Sequence, residues 1–169
     1  NLWFIVVSMF TGISQGMQPI MSHNYGKGKY GNVNKILKYG LILMGTFAAA
    51  IYAVMFFGSE YVAAIFNSEH NETLQYIAEE GLKLYYIACP FVGFNIIISI
   101  FFTSTEYPVP AHIISILRGF ALIIPMAFIM LFAGGRIGLW MAFPVTEMIV
   151  TVIGIILYIM RNRKLKEHI

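Results

Sequence analysis

Apolar residues along this chain do not mark one face of an amphipathic helix; they run together in long blocks separated by short polar or glycine-rich stretches. A bilayer core about 30 Å thick takes about 20 largely apolar residues per crossing helix. The blocks therefore predict five spans, at about 2–23, 39–66, 82–105, 111–132 and 137–160, in an all-α, polytopic transmembrane bundle. Pro19 predicts a kink near the end of the first. The first junction, Lys27-Gly28-Lys29-Tyr30-Gly31-Asn32-Val33-Asn34-Lys35, reads as a basic, glycine-rich loop. The second, from Asn67 to Glu80, carries Glu69, Glu72, Glu79 and Glu80 and neither Lys nor Arg. Glu106, Pro108 and Pro110 break the chain before the fourth span, and Ala133-Gly134-Gly135-Arg136 turns it into the fifth. A polar tail, 161–169, with Arg161, Arg163, Lys164 and Lys166 closes the sequence.

Composition agrees with lipid as the solvent: 59% of residues are hydrophobic and 11% charged, against about 45–50% and about 25% in soluble domains. Lys and Arg in short loops mark the cytoplasmic side. The 27–38 segment and the tail are both basic and four spans apart, so they share a face. The expectation is a multi-pass plasma-membrane protein with a cytoplasmic C-terminus and the acidic loop outside. The opening Asn1-Leu2-Trp3-Phe4 has no basic n-region and no cleavage site, so it reads as a fragment and not as a signal peptide. A lone Cys89 rules out an internal disulfide and a cysteine-based zinc site. His23, His70, His112 and His168 form no metal-binding spacing, so no metal is expected. Asn71-Glu72-Thr73 matches a glycosylation acceptor, a weak signal. The basic tail suits anionic lipid headgroups, not nucleic acid. No nucleophile elbow, phosphate-binding glycine loop or carboxylate pair on one helix face is present, so an enzyme is not expected.

Glu147 is the leading candidate for function. It lies about ten residues, or roughly 15 Å, into the fifth span, near the bilayer midplane. Burying a charge at that depth costs at least about 2.5–3.5 kcal/mol, so such groups face a cavity or a partner. Two readings stay open: a cation-responsive carboxylate, or a structural one hydrogen-bonded to a neighbouring helix. Arg118 is expected to snorkel to the cytoplasmic interface, with pairing to Glu147 or contact with an anionic substrate as alternatives. Lys83 reads as an interfacial anchor. The first span holds Gly12, Ser14, Gln15, Gly16, Gln18, Pro19, Ser22, His23 and Asn24, a face too polar for lipid. Gln15, Gln18 and Pro19, with Arg118, are candidate cavity residues, and helix packing is the alternative role for that face. Ten Met, 14 Phe and 10 Tyr can supply an adaptable apolar lining.

Gly12-Ile13-Ser14-Gln15-Gly16-Met17-Gln18-Pro19, followed by Asn24-Tyr25-Gly26, resembles the Gly-x-x-Gln-x-x-x-Pro…Asn-Tyr-Gly-Ala signature of the multidrug and toxic compound extrusion (MATE) family. Leu117-Arg118 and Gly138-Leu139-Trp140-Met141-Ala142-Phe143-Pro144-Val145-Thr146-Glu147 are similar to later stretches of the same family. Glu147 stands where Asp is commoner and Lys27 where Ala is common. The resemblance implies helices eight to twelve of a twelve-helix, two-lobe transporter, most of its C-terminal lobe, with helix seven and the N-terminal lobe as the missing partner. It implies a sodium- or proton-coupled antiporter of drugs or amphipathic organic cations, with no cofactor beyond the coupling ion and with the bilayer and a small-molecule substrate as partners. Glu147 would be the cation-responsive group. Rival readings are a lipid-linked sugar flippase of the same superfamily, a membrane-embedded enzyme and a non-transporting structural subunit.

Overall fold

A computed structural model describes residues 2–67 and 71–167, the last four by backbone alone. Glu69, His70 and His168, and the side chains of Lys164 and Lys166, lie outside the described set. Every regular element among the described residues is helical. They are α1 (Leu2–Gly26), α2 (Tyr30–Phe57), α3 (Ser59–Phe66), α4 (Glu72–Tyr85), α5 (Cys89–Ser104), α6 (Pro108–Ile116) and α7 (Ile123–Glu167). A short 3-10 turn at Tyr86–Ala88 links α4 to α5, and a π turn at Leu117–Ala121 links α6 to α7. The molecule is a membrane-embedded helical bundle. Three stretches are by themselves long and apolar enough to cross a bilayer: Tyr30–Phe57, Glu72–Ser104 and Ile123–Arg163. The helix α1, with its run of Gly, Ser and Gln, is not one of them.

Local chemistry explains where helices begin and end. The basic stretch after α1 is shorter as a loop than its composition predicts, because α2 starts at Tyr30 and carries Lys35 and Lys38 outward while Val33 and Leu37 are buried. Gly28 (φ 70°) makes the turn in a conformation that only glycine adopts at no steric cost. Asn24 and Asn32 then close it, the Asn32 amide donating to Asn24 Oδ1 at 3.1 Å. The apolar block expected as one helix over 39–66 breaks at Gly58, where α3 begins. Asn71 caps α4 by accepting from the Leu74 amide at 3.1 Å. The α5–α6 corner uses Glu106 at φ 56° and Pro108 at the start of α6, where its missing N–H costs nothing.

The sharpest turn lies inside α7. Gly135, with φ 55° and ψ −132°, splits α7 into two rods, 123–134 and 136–167. The rods fold back on one another so closely that a Cβ at Gly138 would overlap the Met130 carbonyl. The helix α5 lies at the centre of the bundle, with Val92, Asn95, Ile97, Ile98, Phe101 and Phe102 buried. Around it pack α1, α2, α6 and the second rod of α7. Gly93 admits α1 and α2, with Met44 and Phe10 in ordinary contact at 3.5 and 3.6 Å from where its Cβ would be. At the end where α1 starts, Trp3 meets Tyr85, Tyr86 and Phe143 edge to face.

Candidate functional site

The second rod of α7 turns Ala142, Thr146, Glu147, Val150 and Gly154 into the bundle, a stripe at three- and four-residue spacing that faces α5. A carboxylate in that stripe is buried, and Glu147 is 1% exposed. Its charge is met from two other elements. The Arg118 side chain, on the π turn, sends Nε to Glu147 Oε1 at 3.1 Å and Nη2 to the same oxygen at 3.0 Å. From α5, the Asn95 amide donates to Glu147 Oε2 at 2.8 Å and to the Glu147 backbone carbonyl at 3.1 Å. The Thr151 hydroxyl, one turn on, lies 2.9 Å from that carbonyl and 3.2 Å from Asn95 Oδ1. Ser99 Oγ donates to the Asn95 carbonyl at 2.7 Å. Both carboxylate oxygens are thus held, by a cation on one side and a neutral amide on the other.

This corrects the expected placement of Arg118. Its guanidinium does not run to an interface but turns to Glu147, leaving the side chain 23% exposed. In a medium of low polarity, an unpaired carboxylate at this depth is far more costly than an entropically restricted arginine, so pairing prevails over snorkelling. The π turn aids the reach. An extra residue in one turn rotates the following side chains and loosens the local ladder, and such turns recur at functional sites. Asn95 escaped the reading of the sequence, although a lone amide in Cys89–Ser104, a helix whose other polar side chains are small hydroxyls, with Ser99 and Thr103 bonding back to their own turn, was a usable signal. Its donors would be stranded there without a partner on another helix.

The remaining candidates lie elsewhere. Gln15 and Pro19 are exposed on α1 and Gln18 is half-buried. Gly12 and Gly16 face open space. Pro19 has no N–H to offer the Gln15 carbonyl four residues back. No hydrogen bond among the described residues joins it to Glu147. Lys83 sits 6.0 Å from the Phe56 ring centroid. At the end of the bundle near Trp3, a cleft of about 340 Å³ is walled by Trp3, Phe66, Tyr85, Tyr86 and Trp140. The Trp140 indole N–H is buried without a partner among the described residues. Close by, Arg136 Nη2 approaches Glu80 Oε2 at 3.1 Å, an ion pair without hydrogen-bond geometry.

The sequence pattern of the MatE family matches residues 1–129. The chain belongs to the MatE family. The MatE match takes in Gln15, Gln18, Pro19 and Arg118 and ends before Glu147, whose surroundings are read from this chain's own geometry. Among solved structures, one described as the inward-facing conformation of a multidrug resistance MATE family transporter of the MOP superfamily is similar in fold. It superposes with a TM-score of 0.88 at 17% identity, over 97% of this chain and 38% of that one. This MatE chain therefore spans 38% of the length of the transporter it resembles. No curated protein matches the sequence. Family match and fold similarity point to the same family.

Proposed function

We propose that the chain is most of the C-terminal lobe of a two-lobe exporter that works by alternating access, with entry of sodium or protons driving export of amphipathic organic cations. The observation that carries this reading is the dry Arg118–Glu147–Asn95 cluster, which ties three elements together through one titratable group. A proton or sodium ion arriving at Glu147 competes with Arg118 for the same oxygen. Loss of that attraction frees a partly exposed guanidinium mounted on a π turn, and the balance between two packings of α6 and α7 shifts accordingly. In the paired state the cluster presents no net charge, so it serves as the coupling group and does not attract a cationic substrate. Attraction falls instead to aromatic surfaces such as the Trp3–Trp140 cleft, since ring faces draw organic cations. An anionic, lipid-linked substrate is less suited to this chain, because Arg118 is already engaged by Glu147.

The test is efflux of a fluorescent cationic dye from vesicles containing the full-length protein, under imposed sodium and proton gradients, for wild type and Glu147→Gln at matched expression. Efflux abolished in a folded variant, with lost response to both gradients, supports coupling at Glu147. Unchanged efflux with an unchanged gradient response makes the carboxylate structural and sinks the assignment.

A further inference from the structure

At the end of the bundle that carries the basic 27–38 segment, α2 and the second rod of α7 each pack on α5 but not on each other. The gap between them is a trough of about 430 Å³. Its floor is Phe94 and Ile98 of α5, and Leu37, Leu41, Ile42, Ile155 and Tyr158 form the walls. Asn34 and Lys38 also line it, one turn apart on a single face of α2. No acidic residue is among those lining it. Lys38 is the last charged residue of α2, and Tyr39 beside it is exposed. Together they place the polar mouth of the trough where the headgroup region meets the acyl chains, the depth at which Lys and aromatic residues settle. Arg161 lies one turn beyond Tyr158 at the same end, its guanidinium 4.8 Å from the Phe101 ring centroid.

We infer that this trough is a binding site for one anionic phospholipid of the adjoining leaflet, its phosphate at Lys38 and Asn34 and an acyl chain along Leu37, Phe94 and Ile155. The chemistry favours that occupant over others. An apolar helix from another part of the polypeptide would fill the walls but leave the Lys38 ammonium and the Asn34 amide facing a surface with nothing to accept from them. A zwitterionic lipid offers the phosphate together with a cation that Lys38 repels. Anionic headgroups bind basic pockets between transmembrane helices for this reason.

Native mass spectrometry of the full-length protein, equilibrated with equimolar phosphatidylglycerol and phosphatidylcholine in detergent, tests the site. Wild type is expected to retain phosphatidylglycerol in preference by about fivefold or more, in keeping with the attraction of a near-surface lysine. Lys38→Gln with Asn34→Ala should bring retention down to the phosphatidylcholine level, and Ile155→Trp, which fills the trough, should lower retention of both lipids. Lys29→Gln, the same charge change in the loop, should leave the preference intact. Should the double variant misfold, Lys38→Gln alone decides, by a clear loss of preference. The inference is overturned if wild type shows no preference or if Lys29→Gln matches the trough variants. Unchanged retention in either the polar or the Ile155→Trp variant overturns it as well.

Discussion

Among the described residues, two ion pairs hold α7 to the rest of the bundle, and they differ in almost everything except length. Arg118–Glu147 spans 3.0 Å and Arg136–Glu80 spans 3.1 Å. Glu147 is 1% exposed and fully hydrogen-bonded, whereas Arg136 is 47% and Glu80 21% exposed. Equal distances therefore conceal unequal energetics. The outer pair trades hydration for a modest attraction in a polar medium, and Arg136 divides its attention with the Tyr76 ring, 5.7 Å away. The inner pair has a carboxylate shut off from solvent, so its net contribution to stability is small while the penalty for breaking it is large. That asymmetry suits the inner pair to switching: its arrangement is all or nothing, and anything that neutralises Glu147 changes the preferred state.

The largest expected effect follows from removing the cation alone. Arg118→Ala leaves a buried carboxylate with one amide for company and should destabilise the full-length protein by about 3–5 kcal/mol, the partial exposure of Arg118 favouring the lower end. Thermal unfolding in detergent reads this directly. Replacing both partners, Arg118→Met with Glu147→Leu, should restore most of the lost stability, because packed apolar side chains substitute well for a buried pair. Recovered stability together with lost coupled efflux would separate a switching role from a structural one. Recovered stability with wild-type efflux would assign the pair to packing alone.

Asn95→Leu comes next. It keeps the branching of the side chain, with bulkier methyl groups, but removes the donor to Glu147 Oε2 and to the Glu147 carbonyl. The carbonyl keeps its bond from Thr151, but leaving Glu147 Oε2 unsatisfied costs about 1–3 kcal/mol. If Asn95 positions the carboxylate for ion exchange, the sodium or pH dependence of efflux shifts in the variant even where folding is retained, and Asn95→Gln fails to rescue it because the longer amide misplaces its donor. An unshifted dependence would confine Asn95 to structure.

How much of this was legible in the sequence divides along physical lines. Apolar blocks, the Gly134-Gly135 reversal and the prolines after Thr105 declare helices and turns because those signals are local. The depth of Glu147 was readable for the same reason: counting along one helix suffices. Its partner was not, since Arg118 lies 29 residues away on a separate helix and no periodicity connects the two. The early start of α2 was obscured by glycines and asparagines that read as loop, although Val33 and Leu37 already held the helical spacing of its buried face. Arg161 looked like part of a solvated tail, yet it is 8% exposed beneath the packing of Phe101. Positive charge counts toward orientation whether or not the side chain is in water, so the charge pattern alone does not reveal which arginine is buried.

The smallest effect belongs to the outer pair, and it is the control on which the comparison depends. Glu80→Gln removes the charge but keeps the shape, and exposed pairs contribute about 0–1 kcal/mol. Salt at 1 M shrinks the screening length to about 3 Å, so any difference in unfolding temperature between wild type and Glu80→Gln should fade as salt rises. With a potassium salt, so that the proposed coupling ion is absent, the penalty in Arg118→Ala should persist, since buried charges are screened far less than exposed ones. A salt-insensitive loss of several kcal/mol in Glu80→Gln would mean that the outer pair is desolvated in the assembled protein, and burial would no longer distinguish the two.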